Sequence, residues 1–149
     1  MRVVLDTAIL IRANAKATGP AKELFRLIQE SGTHLILSPY MLSELARVFQ
    51  YPRILNLYGL SETDISAFLR TLRSYAEVVE PAEGPPIVIK DSDDDPIVYT
   101  AIAGQAEVLC TVDKHFYEPN VLAFCSLHGI QIMTGIELLF ALRRLTRLT

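Results

Sequence analysis

The chain has two cysteines, Cys110 and Cys125, among 149 residues, too few for a disulfide framework. Cys110 sits in the apolar run Val108-Leu109-Cys110 and reads as a buried thiol. A zinc set of Cys110, His115, Cys125 and His128 can be written down, but its spacing matches no familiar finger. No apolar run approaches the ~20 residues of a membrane helix. Met1-Arg2-Val3-Val4-Leu5-Asp6 enters a strand at once, without a signal peptide, so a soluble, cytoplasmic protein is expected. Basic charge is also short, with a formal net charge of −3. Nucleic-acid binders are often basic overall. The balance therefore counts against one, unless negative charge is gathered at a site that holds cations. Internal repeats, low-complexity segments and a second-domain boundary are absent, so residues 1–149 read as one domain.

What is present is an alternation of short β-branched runs with longer helical patterns. It predicts an α/β fold, a three-layer sandwich with a central, mostly parallel sheet flanked by helices. Arg2 to Asp6 is a near-continuous apolar strand, as in sheets buried on both faces. A short helix is expected from Thr7 to about Lys16. Pro20 opens the next, with Ala21, Leu24, Phe25 and Ile28 as its stripe. His34 to Leu37 is the second strand. Ser38-Pro39 starts a helix carrying Leu42, Leu45, Val48 and Phe49, which Tyr51-Pro52 ends. Ser61-Glu62-Thr63-Asp64 resembles a capping box before the stripe Ile65, Phe68, Leu69 and Leu72. Further strands are expected at Glu77 to Glu80, Glu107 to Val112 and Ile130 to Met133, with an extended stretch at Ile87 to Ile89. Helices are expected from Pro96 to about Gln105, around Tyr117 to His128, and from the capping box Thr134-Gly135-Ile136-Glu137 to about Arg144.

Ligands of open parallel α/β sheets bind beyond the carboxyl ends of the strands. Asp6 ends the first strand and Asp113 ends the strand Glu107 to Val112. Asp95 begins the helix before that strand, and Glu44 lies on the helix after the second. Each has a structural alternative. Asp95 before Pro96 is a good helix cap, Asp113 can open a turn, and Glu44 can pair with Arg47. Asp6 is hardest to dismiss, because a carboxylate ending an apolar strand is partly desolvated and needs a partner. Converged carboxylates repel: at ~5 Å and an effective dielectric near 20, each pair costs on the order of 3 kcal/mol. Such a cluster either holds protons or binds a divalent cation. Mg²⁺ or Mn²⁺ suits oxygen ligands, and one or two such ions suit phosphodiester hydrolysis.

These residues resemble the motifs of the PIN-domain family. Val3-Val4-Leu5-Asp6-Thr7 is similar to its opening strand and Ser43-Glu44-Leu45 to its second acidic motif. Asp91-Ser92-Asp93-Asp94-Asp95-Pro96 is similar to the third, and Thr111-Val112-Asp113-Lys114-His115-Phe116 to the Thr-x-Asp motif. The long third motif looks most like the group that forms toxin components of toxin–antitoxin pairs. The resemblance covers nearly the whole chain and implies a divalent metal and cleavage of single-stranded RNA. By it, Asp6, Asp95 and Asp113 would be metal ligands, and Glu44 a ligand or the group that orients the attacking water. Asp93 and Asp94 would add negative potential or cap the helix. Thr111 would support Asp113 from the outer shell, or is an ordinary strand threonine. One departure stands out: many relatives carry Asn where this chain has Ala8, and Ala cannot hold a carboxylate or water.

Arg12, Lys16, Arg47 and Lys114 are candidate phosphate contacts, each also readable as a solvated charge. Arg143, Arg144 and Arg147 complement the dipole of the last helix. That helix is apolar around much of its circumference, which points to burial by the domain, a second copy in a homodimer, or an antitoxin. The alternative to a ribonuclease is a weak or inactive PIN-fold protein that binds RNA or a partner. A phosphoryl-signalling domain is disfavoured, because a receiver would want paired acids at the first strand end, and a haloacid-dehalogenase-like phosphatase a second Asp at Ala8.

Overall fold

The computed structural model describes residues 1–88 and 92–147. Ile89 and Asp91 lie outside the described residues. Five strands form one sheet: β1 (Arg2–Leu5), β2 (His34–Leu37), β3 (Glu77–Val78), β4 (Val108–Cys110) and β5 (Gln131–Met133), in the order β3-β2-β1-β4-β5. Every neighbouring pair is parallel, with Val3 opposite Val108 and Leu5 opposite Cys110. The chain builds outward from β1 on one side, then returns to build outward on the other. β1 and β4 therefore flank the point where strand order reverses, the place where open α/β sheets leave a crevice for ligands.

The inner strands are apolar throughout because helices cover both faces. Val3, Val4, Leu5, Leu35, Ile36 and Leu37 are fully buried. The helices are α1 (Thr7–Arg12), α2 (Pro20–Ser31), α3 (Pro39–Val48), α4 (Pro52–Tyr58), α5 (Glu62–Tyr75), α6 (Asp95–Ala103), α7 (Pro119–Leu127) and α8 (Gly135–Arg147). α2 packs along α8, α1 packs on α2 and α3, and α6 packs on β1, β2 and β4. Several starts follow their local chemistry. Ser38 accepts from the Met41 N–H ahead of Pro39, and Ser61 with Asp64 forms a reciprocal capping box. Thr134 and Glu137 exchange the same pair of hydrogen bonds, at 3.1 and 3.2 Å.

The structure departs from sequence expectation where side chains compete with the backbone. α1 stops at Arg12, not near Lys16. The buried Asn14 amide donates to the Ile11 carbonyl at 2.8 Å and its oxygen accepts from the Lys16 N–H at 2.9 Å, replacing helical bonds with a local turn. Pro52, expected to end a helix, also opens α4, where its fixed φ suits the first turn. α8 continues to Arg147, beyond Arg144. Ile87 and Val88 are in no strand, and a side chain rather than a ladder satisfies them, as described below.

Candidate metal centre

β1 delivers Asp6 to the switch point. The Asp6 N–H makes the last rung of the ladder, donating to the Cys110 carbonyl at 2.9 Å. The residue then stands at the head of α1, yet its side chain makes no capping hydrogen bond. The residue is only 7% exposed and stands just past the end of β1, beside the switch point. Its Oδ2 accepts from Thr111 Oγ1 at 2.7 Å, and Oδ1 lies 3.4 Å from Thr7 Oγ1. Burial pushes the Asp6 pKa up, and the nearby Asp113 charge pushes the same way. The hydrogen bonds from Thr111 and Thr7 oppose the shift without cancelling it.

β4 delivers the second half. Thr111 is fully buried just past the strand, with its N–H still on the Met133 carbonyl at 2.9 Å. While donating to Asp6, Thr111 Oγ1 accepts from the Asp113 N–H at 3.0 Å. Asp113 in turn heads a 3₁₀ turn, Lys114–Tyr117, and its Oδ1 accepts from the His115 N–H at 3.0 Å. The turn-forming reading of Asp113 and its place beside Asp6 are therefore compatible.

Glu44 reaches in from α3. Thr7 Oγ1 lies 3.3 Å from Glu44 Oε1, so this one hydroxyl stands between Asp6 and Glu44. Thr7 appears in the sequence only as part of a motif, and no composition or spacing signal marks its bridging role. Arg47, a candidate partner for Glu44, lies over the Tyr51 ring and donates to its hydroxyl.

The third acidic motif divides its carboxylates. A ligand atom from each of Asp94, Asp113 and His115 lies within 4.8 Å of the others. Asp94 is the residue before α6 and makes no side-chain cap there. Asp95, expected from the sequence at the metal, is not among the three residues of that group. Its carboxylate accepts from the Val88 N–H at 2.8 Å and the Ile87 N–H at 3.2 Å, anchoring a loop that has no strand partner. Asp93 is exposed, and its carbonyl accepts from the Tyr40 hydroxyl at 2.9 Å. Asp94 is in the ligand group and Asp93 is not, a distinction the sequence did not draw.

The zinc set does not assemble. Of its four residues only His115 belongs to a metal-ligand group among the described residues. Burial pushes the Cys110 thiol up to about 12 and the Cys125 thiol up to about 11, which disfavours the thiolate a zinc site needs. His128 packs against Phe124, ring centroids 4.7 Å apart. Arg12 and Lys114 are exposed, and Lys114 directly follows Asp113. Arg12, with Ile9, Val112, Thr134 and Ile136, lines an adjoining cleft of about 360 Å³.

The chemistry of this edge is that of hard oxygen donors. Asp6 and Asp113 are close enough to feel each other's charge, and Asp94 stands beside Asp113. A divalent cation relieves such crowding. The fold and site define a parallel α/β domain with an acidic centre at its switch point. A PIN-domain family model matches residues 2–115, and the chain belongs to that family. A solved structure with the same fold is that of VapBC2 from Rickettsia felis bound to a DNA fragment from their promoter. It matches with a TM-score of 0.55 and 16% identity, covering 89% of this chain and 98% of that one. No curated protein matches. Among the described residues, no helix is long and apolar enough to cross a membrane.

Proposed function

We propose that this chain is a metal-dependent endoribonuclease that hydrolyses phosphodiester bonds of single-stranded cytoplasmic RNA, acting as the toxin of a toxin–antitoxin pair. The observation that carries this reading is the single Thr111 hydroxyl between Asp6 and Asp113, with Asp94 beside Asp113. Mg²⁺ or Mn²⁺ bound there would supply an activated water and neutralise phosphate charge. Asp6, Asp94 and Asp113 would hold it, with Thr111 Oγ1 bonded to the Asp6 carboxylate and to the Asp113 backbone N–H.

Glu44, which shares the Thr7 hydroxyl with Asp6, would accept a proton from the attacking water. Asp95 keeps the loop at Ile87 and Val88 in place, a supporting role compatible with the site. Arg12 and Lys114, both exposed, would meet RNA phosphates, which an acidic protein needs locally. The reading also implies an antitoxin and a homodimer. Apolar surface for such partners is present on α8, where Ile136 is 47% and Phe140 54% exposed.

A second reading, an RNA- or partner-binding protein of weak activity, is favoured by Ala8. That residue is exposed and carries no polar group to hold a carboxylate or water. The two readings separate in a cleavage assay on fluorophore-labelled single-stranded RNA with Mn²⁺ or Mg²⁺. For the nuclease, Asp6→Asn should lose activity by more than the ~10–100-fold that follows loss of an outer-shell partner. Cleavage that persists unchanged in Asp6→Asn would remove this site from the chemistry.

A further inference from the structure

We propose that the His115 imidazole is itself a ligand of the bound ion, so that the centre favours a first-row transition dication such as Mn²⁺ over Mg²⁺. This rests on the metal-dependent reading above and adds a residue and a metal preference to it.

The geometry comes first. His115 offers a ring nitrogen within 4.8 Å of ligand atoms from both Asp94 and Asp113. Ligands of one ion at about 2.1 Å are at most ~4.2 Å apart, so small side-chain rotations close the triad. The backbone that carries the ring is held in place. The His115 N–H donates to Asp113 Oδ1 at 3.0 Å, the 3₁₀ turn fixes the backbone, and the side chain is 28% exposed.

The second observation concerns one atom. His115 Nδ1 is buried and makes no hydrogen bond among the described residues. It stands 3.6 Å from Asp113 Oδ1, beyond hydrogen-bond reach. A buried ring nitrogen left in that condition costs free energy, and coordination to an ion between Asp94 and Asp113 would recover it. Mg²⁺ strongly prefers oxygen ligands, whereas imidazole binds first-row transition dications, more tightly from Mn²⁺ toward Ni²⁺. One nitrogen among carboxylates should therefore tilt the site away from Mg²⁺.

Pulsed EPR of the protein loaded with Mn²⁺ tests this directly, comparing unlabelled protein with protein whose three histidines carry ¹⁵N. A histidine-nitrogen coupling that changes with the label, and disappears in His115→Ala and His115→Gln, is the expected result. Calorimetric titration should show His115→Ala weakening Mn²⁺ binding by at least about 10-fold, and Mg²⁺ binding by less than about threefold. The glutamine variant serves if the alanine one fails to fold, and the wild-type spectrum needs no variant. Bound Mn²⁺ without histidine coupling overturns the imidazole ligand and leaves the carboxylate metal site standing. Equal weakening of both ions overturns the preference. Failure of the wild type to bind Mn²⁺ at all overturns both this proposal and the metal-dependent reading.

Discussion

Thr111 and Asp6 lie 105 residues apart and meet through a 2.7 Å hydrogen bond between Oγ1 and Oδ2. The same Thr111 oxygen accepts the Asp113 N–H at 3.0 Å. A hydroxyl both donates and accepts, so it can couple the end of β1 to the end of β4. The ladder supplies alignment, since Leu5 pairs with Cys110 one position before each of these residues.

Thr111→Val keeps the shape and removes both bonds. The buried Asp6 carboxylate then loses its shortest partner, at a cost of about 1.5–3 kcal/mol for a bond to a charged group. Urea denaturation without metal should show that loss. Mn²⁺ affinity should fall ~10–100-fold, as for outer-shell partners generally. Thr111→Ser should retain most of both properties, and a valine variant with unchanged Mn²⁺ affinity would show that Thr111 is only a strand residue.

Asp94 and Asp95 are neighbours with opposite expected phenotypes. Asp95→Ala strips the acceptor from the Ile87 and Val88 N–H groups, and both residues are buried. It should cost about 1.5–3 kcal/mol of stability. Asp94→Ala should bind Mn²⁺ more than ~10-fold worse, a loss that Asp95→Ala should not share. Chemical denaturation and calorimetry on the same preparations separate the two, and the reverse pattern would return Asp95 to the metal.

Asp6→Asn should raise the melting temperature of metal-free protein at neutral pH while abolishing cleavage. The Asp6 pKa is raised by burial and by Asp113, so its ionised form is less favourable in the folded than in the unfolded chain. The penalty is complete above the raised folded value. It fades as pH falls through that value and is gone below the ordinary 3.8, where both states are protonated. The advantage of Asn should follow that course in thermal melts across an acidic pH series with chelator present. A variant that melts lower than wild type at pH 7 would contradict the sign.

Gly104→Ala tests how tightly the chain seats α6 on the sheet. A Cβ at Gly104 would collide with Ile36 Cγ2, and Ile36 is fully buried in β2. Overpacking of this kind costs about 1–3 kcal/mol, readable as a lower denaturation midpoint with an unchanged slope.

The alternation of elements, the Ser38-Pro39 start and the capping boxes were legible from local sequence, because their energetics lie within a few residues. Asp6 and Asp113 were legible for a related reason. A carboxylate after an apolar strand run stands at a sheet edge whatever the remainder of the fold does. Three consecutive acids before Pro96 carry no such signal. Which of them faces the site depends on the 3₁₀ turn Ser92–Asp94 and on the Tyr40 hydroxyl holding the Asp93 carbonyl. That contact spans 53 positions.

By itself, then, the order of residues determined the parallel sheet, the positions of its strands and the presence of acids at their carboxyl ends. Hydrophobic period and backbone capping are local and additive along the chain. Only the tertiary structure decided that Asp94 rather than Asp95 groups with Asp113, that Thr7 stands between Asp6 and Glu44, that Thr111 joins Asp6 to the Asp113 backbone, and that a ring nitrogen of His115 lies beside Asp94 and Asp113. Those outcomes depend on side-chain rotation and on distances of a few ångströms between segments as far as 105 residues apart, which no window of sequence contains.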